Sequence, residues 1–325
     1  MTKFIRRLQR IGSSILVSLP KEWVSANNLE KSSEVEIETG QNSISITANT
    51  NTRPTKEITI SYPLPQDENI VADITGAYLL GYDIITIQAK TTIPVEDREK
   101  IRDSMRRLVG MEIVEESSSK INVQFLLDAT TLSPEKILKR MSSIVFGMFT
   151  DVLNGLISED KSNLKTLSNR DVEVNRQYFL LVRLIRSTMI DQRLANAFNL
   201  ENIDVLDYRV AANLLENAGD IIVELADSIY TTSLSKSDSK KIFEVVKDFE
   251  KAEQKSIDAF LKNDRRLAIE AISLHKNYQN KFQKIRTSLE NKQQIPINFL
   301  DLLYKFERVV KAWADVVDLV KPFYN

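Results

Sequence analysis

Five cations and no acid occupy residues 1–21 of this 325-residue chain: Lys3, Arg6, Arg7, Arg10 and Lys21. The formal net charge of the whole chain is −1, so its basic character is gathered at one end. A local patch of one sign bears on partner choice more than the overall sum does. Arginine presents forked donors that suit phosphate oxygens or the edge of guanine. The hydroxyls of Ser13 and Ser14, beside these arginines, can reach phosphates, which set register without reading sequence. A second group lies far along the chain. Arg209, Asn213, Glu216, Asp220, Glu224 and Asp227 recur at spacings of three and four, hence along one helix face. Glu216 and Asp220, one turn apart, can jointly offer oxygen ligands to a hard cation. The plainer reading of that face is a solvated charged surface.

Other chemistry is excluded by composition. There are no cysteines and one histidine, His275. Disulfides, zinc–thiolate sites, iron–sulfur clusters and cysteine nucleophiles are therefore ruled out, as are sites needing several histidines, and the chain suits a reducing compartment. His275 sits mid-helix, where a solvated or packed role is expected. No phosphate-cradling GxxxxGK[ST] or GxGxxG occurs. No nucleophile or base stands beside a cofactor motif, so the chain is expected not to be an enzyme. It lacks a run of about 18 apolar residues, and no apolar stretch of the signal-peptide kind follows the basic N-terminus. A cytoplasmic protein without membrane insertion is expected.

Three regions must position these residues. Apolar residues make up 42% of the chain, enough for a core, and the length predicts two or three domains at roughly 100–200 residues each. Residues 1–50 read as a strand over 14–19, a short helix opened by Pro20, an alternating strand over 34–38 and a last strand around Ile44 and Ile46. So small a sheet cannot bury enough surface alone and is expected to dimerise. Trp23 is expected to pack the short helix. Residues 55–128 read βαβαββ: strands at 58–60, 84–87, 111–115 and 121–127, with helices over 68–80 and from Pro94 to Leu108. That order predicts a small α/β sandwich with a four-stranded sheet, suited to holding a small ligand or to acting as a spacer.

Residues 133–325 read as nearly all helix. Ser133-Pro134 starts the first helix. Helices are predicted over 135–158, 162–198 and 204–230, then, after a Ser-rich break at 231–239, over 240–262, 265–292 and 297–321. Val205, Tyr208, Ala212, Leu215, Gly219, Ile222, Ala226 and Ile229 form a buried seam. Phe299, Leu303, Phe306, Val310, Trp313, Val317 and Val320 form another. The plan is an internal duplication, 133–231 and 239–325.

Two resemblances rest on these segments. RRLQRIGSSILVSLPKEWV, followed by Asn28-Leu29 and VEIE, closely resembles the swapped-hairpin DNA-binding domain of the AbrB/SpoVT/MazE superfamily. Gly12-Ser13-Ser14, Pro20-Lys21, Leu29 and Val35-x-Ile37 fit its pattern, and Ser18 stands where many members carry arginine. The helical half resembles the PhoU family of phosphate-uptake regulators, whose third helices carry a Glu-Arg-Ile-Gly-Asp-like signature. Leu215-Glu216-Asn217-Ala218-Gly219-Asp220 retains its E-x-x-x-D spacing. Phe306-Glu307-Arg308-Val309-Val310-Lys311 keeps Glu-Arg but ends in Lys.

Together the two resemble the archaeal architecture that joins an AbrB-type domain to a PhoU domain. The fold implied is multidomain α+β: a swapped-hairpin β domain (1–50), the βαβαββ domain (55–128) and tandem three-helix bundles (133–325). The function implied is a homodimeric DNA-binding regulator of phosphate uptake or phosphate-responsive transcription. Arg6, Arg7, Arg10, Ser13, Ser14 and Lys21 would contact DNA. Glu216 and Asp220 would hold a divalent or iron metal, as other PhoU-like proteins do with this signature. The helical half would bind a transporter ATPase or a sensor protein. The alternative is an adaptor that regulates a phosphate ABC transporter by contact, its N-terminal domain serving only to dimerise.

Overall fold

The computed structural model describes residues 3–40, 42–48, 55–66, 68–232, 234–290 and 296–320. Residues 1–2, 41, 49–50, 67, 233, 291–295 and 321–325 of the expected domains, break and helices lie outside the described residues. The chain divides into two compact units, Met1–Pro54 and Thr55–Asn325.

The first unit holds β1 (Gln9–Ile11), β2 (Ser14–Leu16), α1 (Lys21–Ala26), β3 (Val35–Thr39) and β4 (Ile44–Ala48). The strands form two separate antiparallel ribbons, β1 with β2 and β3 with β4. Gly12 turns the first ribbon at φ +62°, a value a side chain would strain. Arg6 and Arg7 precede β1, and Arg10 lies on it. One expectation changes here. The strand expected over 14–19 ends at Leu16, because Leu16 pairs with Gln9 and the register then runs past the start of β1.

The second unit opens with β5 (Glu57–Tyr62), α2 (Ile70–Leu79), β6 (Ile84–Ala89), α3 (Val95–Met105), β7 (Met111–Glu116) and β8 (Lys120–Phe125). The four strands lie in the order β5-β6-β8-β7, with β5 and β6 parallel and the other pairs antiparallel. Alternate residues Ile85, Ile87, Ile121 and Val123 are buried with Ile74 and Ile101 of the helices. This is the four-stranded sheet that the βαβαββ order predicts.

The helices are α4 (Pro134–Ile157), α5 (Leu167–Thr188), α6 (Gln192–Phe198), α7 (Asn202–Thr231), α8 (Lys236–Val246), α9 (Glu250–Lys262), α10 (Arg265–Glu290) and α11 (Ile297–Val317). Both seams are buried except for half-buried Val320. Two expected helices are broken. The one expected over 162–198 begins as a 3₁₀ turn, Ser162–Thr166, runs on as α5 and restarts as α6, where the Asp191 side chain accepts from the Arg193 amide. The one expected over 240–262 starts early, on a Ser235 cap, and breaks before α9. Phe249 explains the break. It is 1% exposed and sits edge-on to Phe149, Tyr278 and Trp313 at centroid distances of 5.8, 5.3 and 5.5 Å. Burying that ring outweighs the few helical hydrogen bonds given up. Among the described residues no helix is long and apolar enough to cross a membrane.

A buried polar chain ties the two helical sets together. Trp313 Nε1 of α11 donates to Ser142 Oγ of α4 at 2.9 Å, and Ser142 Oγ donates to Glu253 Oε1 of α9 at 2.5 Å. Burial pushes the Glu253 carboxyl above the usual range, against the opposing effect of this hydrogen bond.

Arg183 joins the sheet layer to the helices. It lies on α5, is 2% exposed, and donates to the carbonyls of Tyr78 and Tyr82, each at 2.8 Å, and to Asp83 Oδ1 at 3.1 Å. Its guanidinium also lies 4.0 Å from the Phe125 ring centroid. Replacing it with methionine keeps the stem but leaves two carbonyls and a carboxylate short of a partner. Arg183→Met is expected to cost roughly 3–5 kcal/mol, the usual result of breaking a buried pair from one side, measured by urea unfolding of the full chain.

Candidate functional site

The six residues expected to contact nucleic acid are all exposed. Arg10 pairs across the ribbon with Ile15, and Ser14 with Ile11. Ser13 shares the turn with Gly12, and Lys21 begins α1. Arg10 Nε donates to the Gly12 carbonyl at 3.3 Å, holding the guanidinium against the turn, and Arg6 lies 5.6 Å from the Phe4 ring centroid. None of Arg6, Arg7, Arg10 and Lys21 is paired with a carboxylate among the described residues. Their charge is therefore available to an external anion.

The same unit has no interior. Among its described side chains over residues 3–48, none is buried. Ile5, Leu8, Ile15 and Ile44 are 86%, 72%, 67% and 67% exposed. So many exposed apolar side chains in so small a unit point to a missing partner. Trp23, on α1, is half-buried.

The acidic face of α7 gains a member that sequence reading missed. Asp171 of α5 faces Gly219, where a Cβ would stand 3.0 Å from Asp171 Oδ1. A side chain at 219 would crowd Asp171, which would have to give by a few tenths of an ångström. Asp171 Oδ2 accepts from Asn175 at 2.9 Å, while Oδ1 is buried without a hydrogen-bond partner. Burial first, then the charge of Asp220, raises the Asp171 carboxyl to about 6. Burial also raises Glu216, reinforced by Asp220 and Asp171, and raises Asp220, reinforced by Glu224. A glycine in the interior of a helix, between Glu216 and Asp220, is the one signal that could have pointed to a close neighbour there.

The corresponding face of α11 is neutralised. Glu307 is paired with Arg286 of α10, and Lys311 lies 3.9 Å from Asp315. His275 is packed rather than solvated, at 4% exposure. Burial lowers it to about 4, so it is neutral at physiological pH.

With this geometry in place, comparison with known proteins locates two domains. Residues 138–229, which run from α4 almost to the end of α7, match the model of the PhoU domain. This part of the chain is similar to a PhoU domain. Residues 8–55 match the model described as antidote-toxin recognition MazE, bacterial antitoxin. Among solved structures, PhoU from Pseudomonas aeruginosa aligns at 18% identity with a TM-score of 0.47, covering 57% of this chain and 93% of that one. The phosphate transport system regulatory protein PhoU from Streptococcus pneumoniae aligns at 16% identity with a TM-score of 0.45, covering 57% and 91%. No curated protein matches.

The PhoU domain includes the expected metal pair, Glu216 and Asp220. Among the described residues no three acidic or imidazole groups stand together as a ready ligand set. The pair, with Asp171 behind it, could offer oxygen ligands to one cation and no more. On the α11 face Arg286 and Lys311 supply the positive charge that a metal would otherwise bring.

Two measurements follow. Asp171 has a raised carboxyl in the folded state, so the fold binds its proton more tightly than the unfolded chain does. Its destabilising effect is absent below the unfolded value near 3.8, grows as pH rises and is complete above about 6. Asp171→Asn is therefore expected to be more stable than wild type at pH 7.5, by on the order of 1 kcal/mol after allowing for solvent screening, and the gain should vanish towards pH 4. Urea midpoints across that range test it. For the metal pair, added Mn²⁺ at matched ionic strength should raise the thermal midpoint of wild type by mass action and leave Glu216→Ala/Asp220→Ala unmoved. A wild-type midpoint that ignores Mn²⁺ would reduce the pair to a solvated face.

Proposed function

We propose that this chain is a cytoplasmic, homodimeric, DNA-binding regulator of phosphate uptake or of phosphate-responsive transcription, and that it is not an enzyme. The observation that carries the reading is the joining, in one chain, of a PhoU-like segment to an antitoxin-type N-terminal segment with unpaired arginines on and just before its first ribbon. The PhoU domain ties the helical half to the regulation of phosphate transport, through contact with a transporter ATPase or a sensor protein. The N-terminal unit supplies the nucleic-acid surface. A second copy covers its exposed Ile5, Leu8, Ile15 and Ile44, and in doing so doubles the cations on one surface. Arg6, Arg7, Arg10 and Lys21 then contact phosphates, with Ser13 and Ser14 at the turn as further donors. Contacts of this kind give binding that weakens steeply with salt.

The adaptor reading keeps the same dimer and drops the DNA. It is supported by the missing interior of the N-terminal unit, which calls for a partner chain whether or not nucleic acid binds.

Replacing Arg6, Arg7 and Arg10 with alanine should abolish promoter binding at about 150 mM salt, where screening is already strong, while sedimentation still shows a dimer. Equal binding by the triple variant would retire the DNA reading in favour of the adaptor. The isolated segment 1–54 should sediment as a dimer and lose its strand signal in step with dissociation on dilution. A folded monomer of that segment would remove the swapped-hairpin assignment.

A further inference from the structure

Helices α7, α10 and α11 enclose a cavity of about 410 Å³. That lies within the range of small-molecule sites, roughly 300–1,000 Å³. Its floor is apolar, with Ala218, Ile221 and Phe282. His275 forms part of the wall. Ser256 Oγ donates to the Ala252 carbonyl at 2.7 Å and so accepts from His275 Nε2 at 2.8 Å. This bond fixes the ring, and burial keeps it neutral, so it presents an aromatic edge rather than a charge.

The rim is polar and under-used. Arg308 reaches only Asn217 Oδ1, at 3.5 Å, and no carboxylate among the described residues. Its guanidinium lies 5.8 Å from the ring centroid of Tyr304, which is 56% exposed. Lys311 stands one turn further on, in a long, exposed ion pair with Asp315 at 3.9 Å that a phosphate would have to displace. The nearby acid, Glu307, is taken by Arg286. Gln279 also lines the opening, and its amide makes no hydrogen bond among the described residues.

We propose that this cavity binds a nucleoside phosphate, its phosphate held by Arg308 and Lys311 and its base laid between Tyr304 and the apolar floor. A forked guanidinium beside a point-charge ammonium suits phosphate oxygens. An exposed aromatic ring offers a stacking face to any base. Asn217 and Gln279 carry paired donor and acceptor atoms of the kind that match the edge of adenine. The apolar floor separates this site from one for inorganic phosphate, which would gain nothing from it. The volume of about 410 Å³ suits a single nucleotide rather than the run of bases that a nucleic-acid groove tracks. The site also gives Lys311 a purpose. Glu307 and Lys311 occupy on α11 the spacing that Glu216 and Asp220 occupy on α7, so the change of sign converts a cation-binding face into an anion-binding one.

Calorimetric titration of the full chain with AMP, adenosine and inorganic phosphate tests this. AMP is expected to bind once per chain, at least tenfold more tightly than adenosine or phosphate. Arg308→Ala/Lys311→Ala should weaken AMP binding at least tenfold, and Tyr304→Ala should also weaken it. All three residues are exposed, so the thermal midpoints of these variants should match wild type. The Arg6→Ala/Arg7→Ala/Arg10→Ala variant should bind AMP unchanged, which separates this site from the N-terminal cations. The absence of AMP binding at about 1 mM, a weak limit for a specific site, would overturn the proposal. So would unchanged AMP affinity in Arg308→Ala/Lys311→Ala. Phosphate binding as tightly as AMP would overturn the nucleoside part and leave a simple anion site.

Discussion

A guanidinium removed from water must find its hydrogen bonds in the protein, and the second unit is arranged around one such group. Arg183 draws on the carbonyls of Tyr78 and Tyr82 and on the carboxylate of Asp83. These three lie where α2 ends and β6 begins, at a turn that Gly81 takes with φ +77°. Asp83 is shared, because its Oδ2 also accepts from the Lys56 amide just before β5. One buried cation on α5 thus fixes the end of a helix and the starts of two adjacent strands. The desolvation cost of such a group is large, and it is tolerable only because every partner is in place. The sheet layer and the helices belong to one compact unit, and this cation is the most deeply buried polar link between them.

The helical half uses a different device. Its two sets of helices share a seam plan but not a surface. Gly219 lets α5 bring Asp171 against α7, so carboxylates crowd there and their protons are held more tightly. On α11 Arg286 and Lys311 answer the acids, and crowding is relieved. The Trp313–Ser142–Glu253 chain runs beneath both surfaces and joins α4 to α9 and α11. A repeat that keeps its apolar core while its polar faces diverge can carry two different chemistries on one scaffold.

Much of this was legible in the residues. Period-two and period-3.6 patterns located the strands and helices, and the seam positions from Val205 to Ile229 proved buried. The four strands of the sheet followed from βαβαββ, whereas their order β5-β6-β8-β7 is seen only in the structure. What escaped was set by distant contacts. Phe249 breaks a helix because its ring is needed in the aromatic cluster, and nothing local to residues 247–249 announces that. Arg183 reads as one more charged position on a helix, since its partners are about a hundred residues away in the chain. Asp171 joined the acidic face only through a neighbouring helix. Trp313 was legible as core, but its indole N–H, the start of a buried hydrogen-bond chain, was not. The apolar residues of the first unit were legible as strands, and the small size of that sheet already called for a second chain.

That last feature reaches beyond structure. A unit none of whose described side chains is buried cannot count on a stable folded monomer. In the dimer we propose, folding of the basic ribbon is therefore a second-order event in protein concentration. Halving the amount of chain would cut the dimer about fourfold in the dilute limit, by mass action. The fraction of chains able to carry a nucleic-acid surface then depends on how much protein the cell makes. Expression level becomes an input to the regulator in its own right, with a steeper response than a monomeric binder of the same affinity would give.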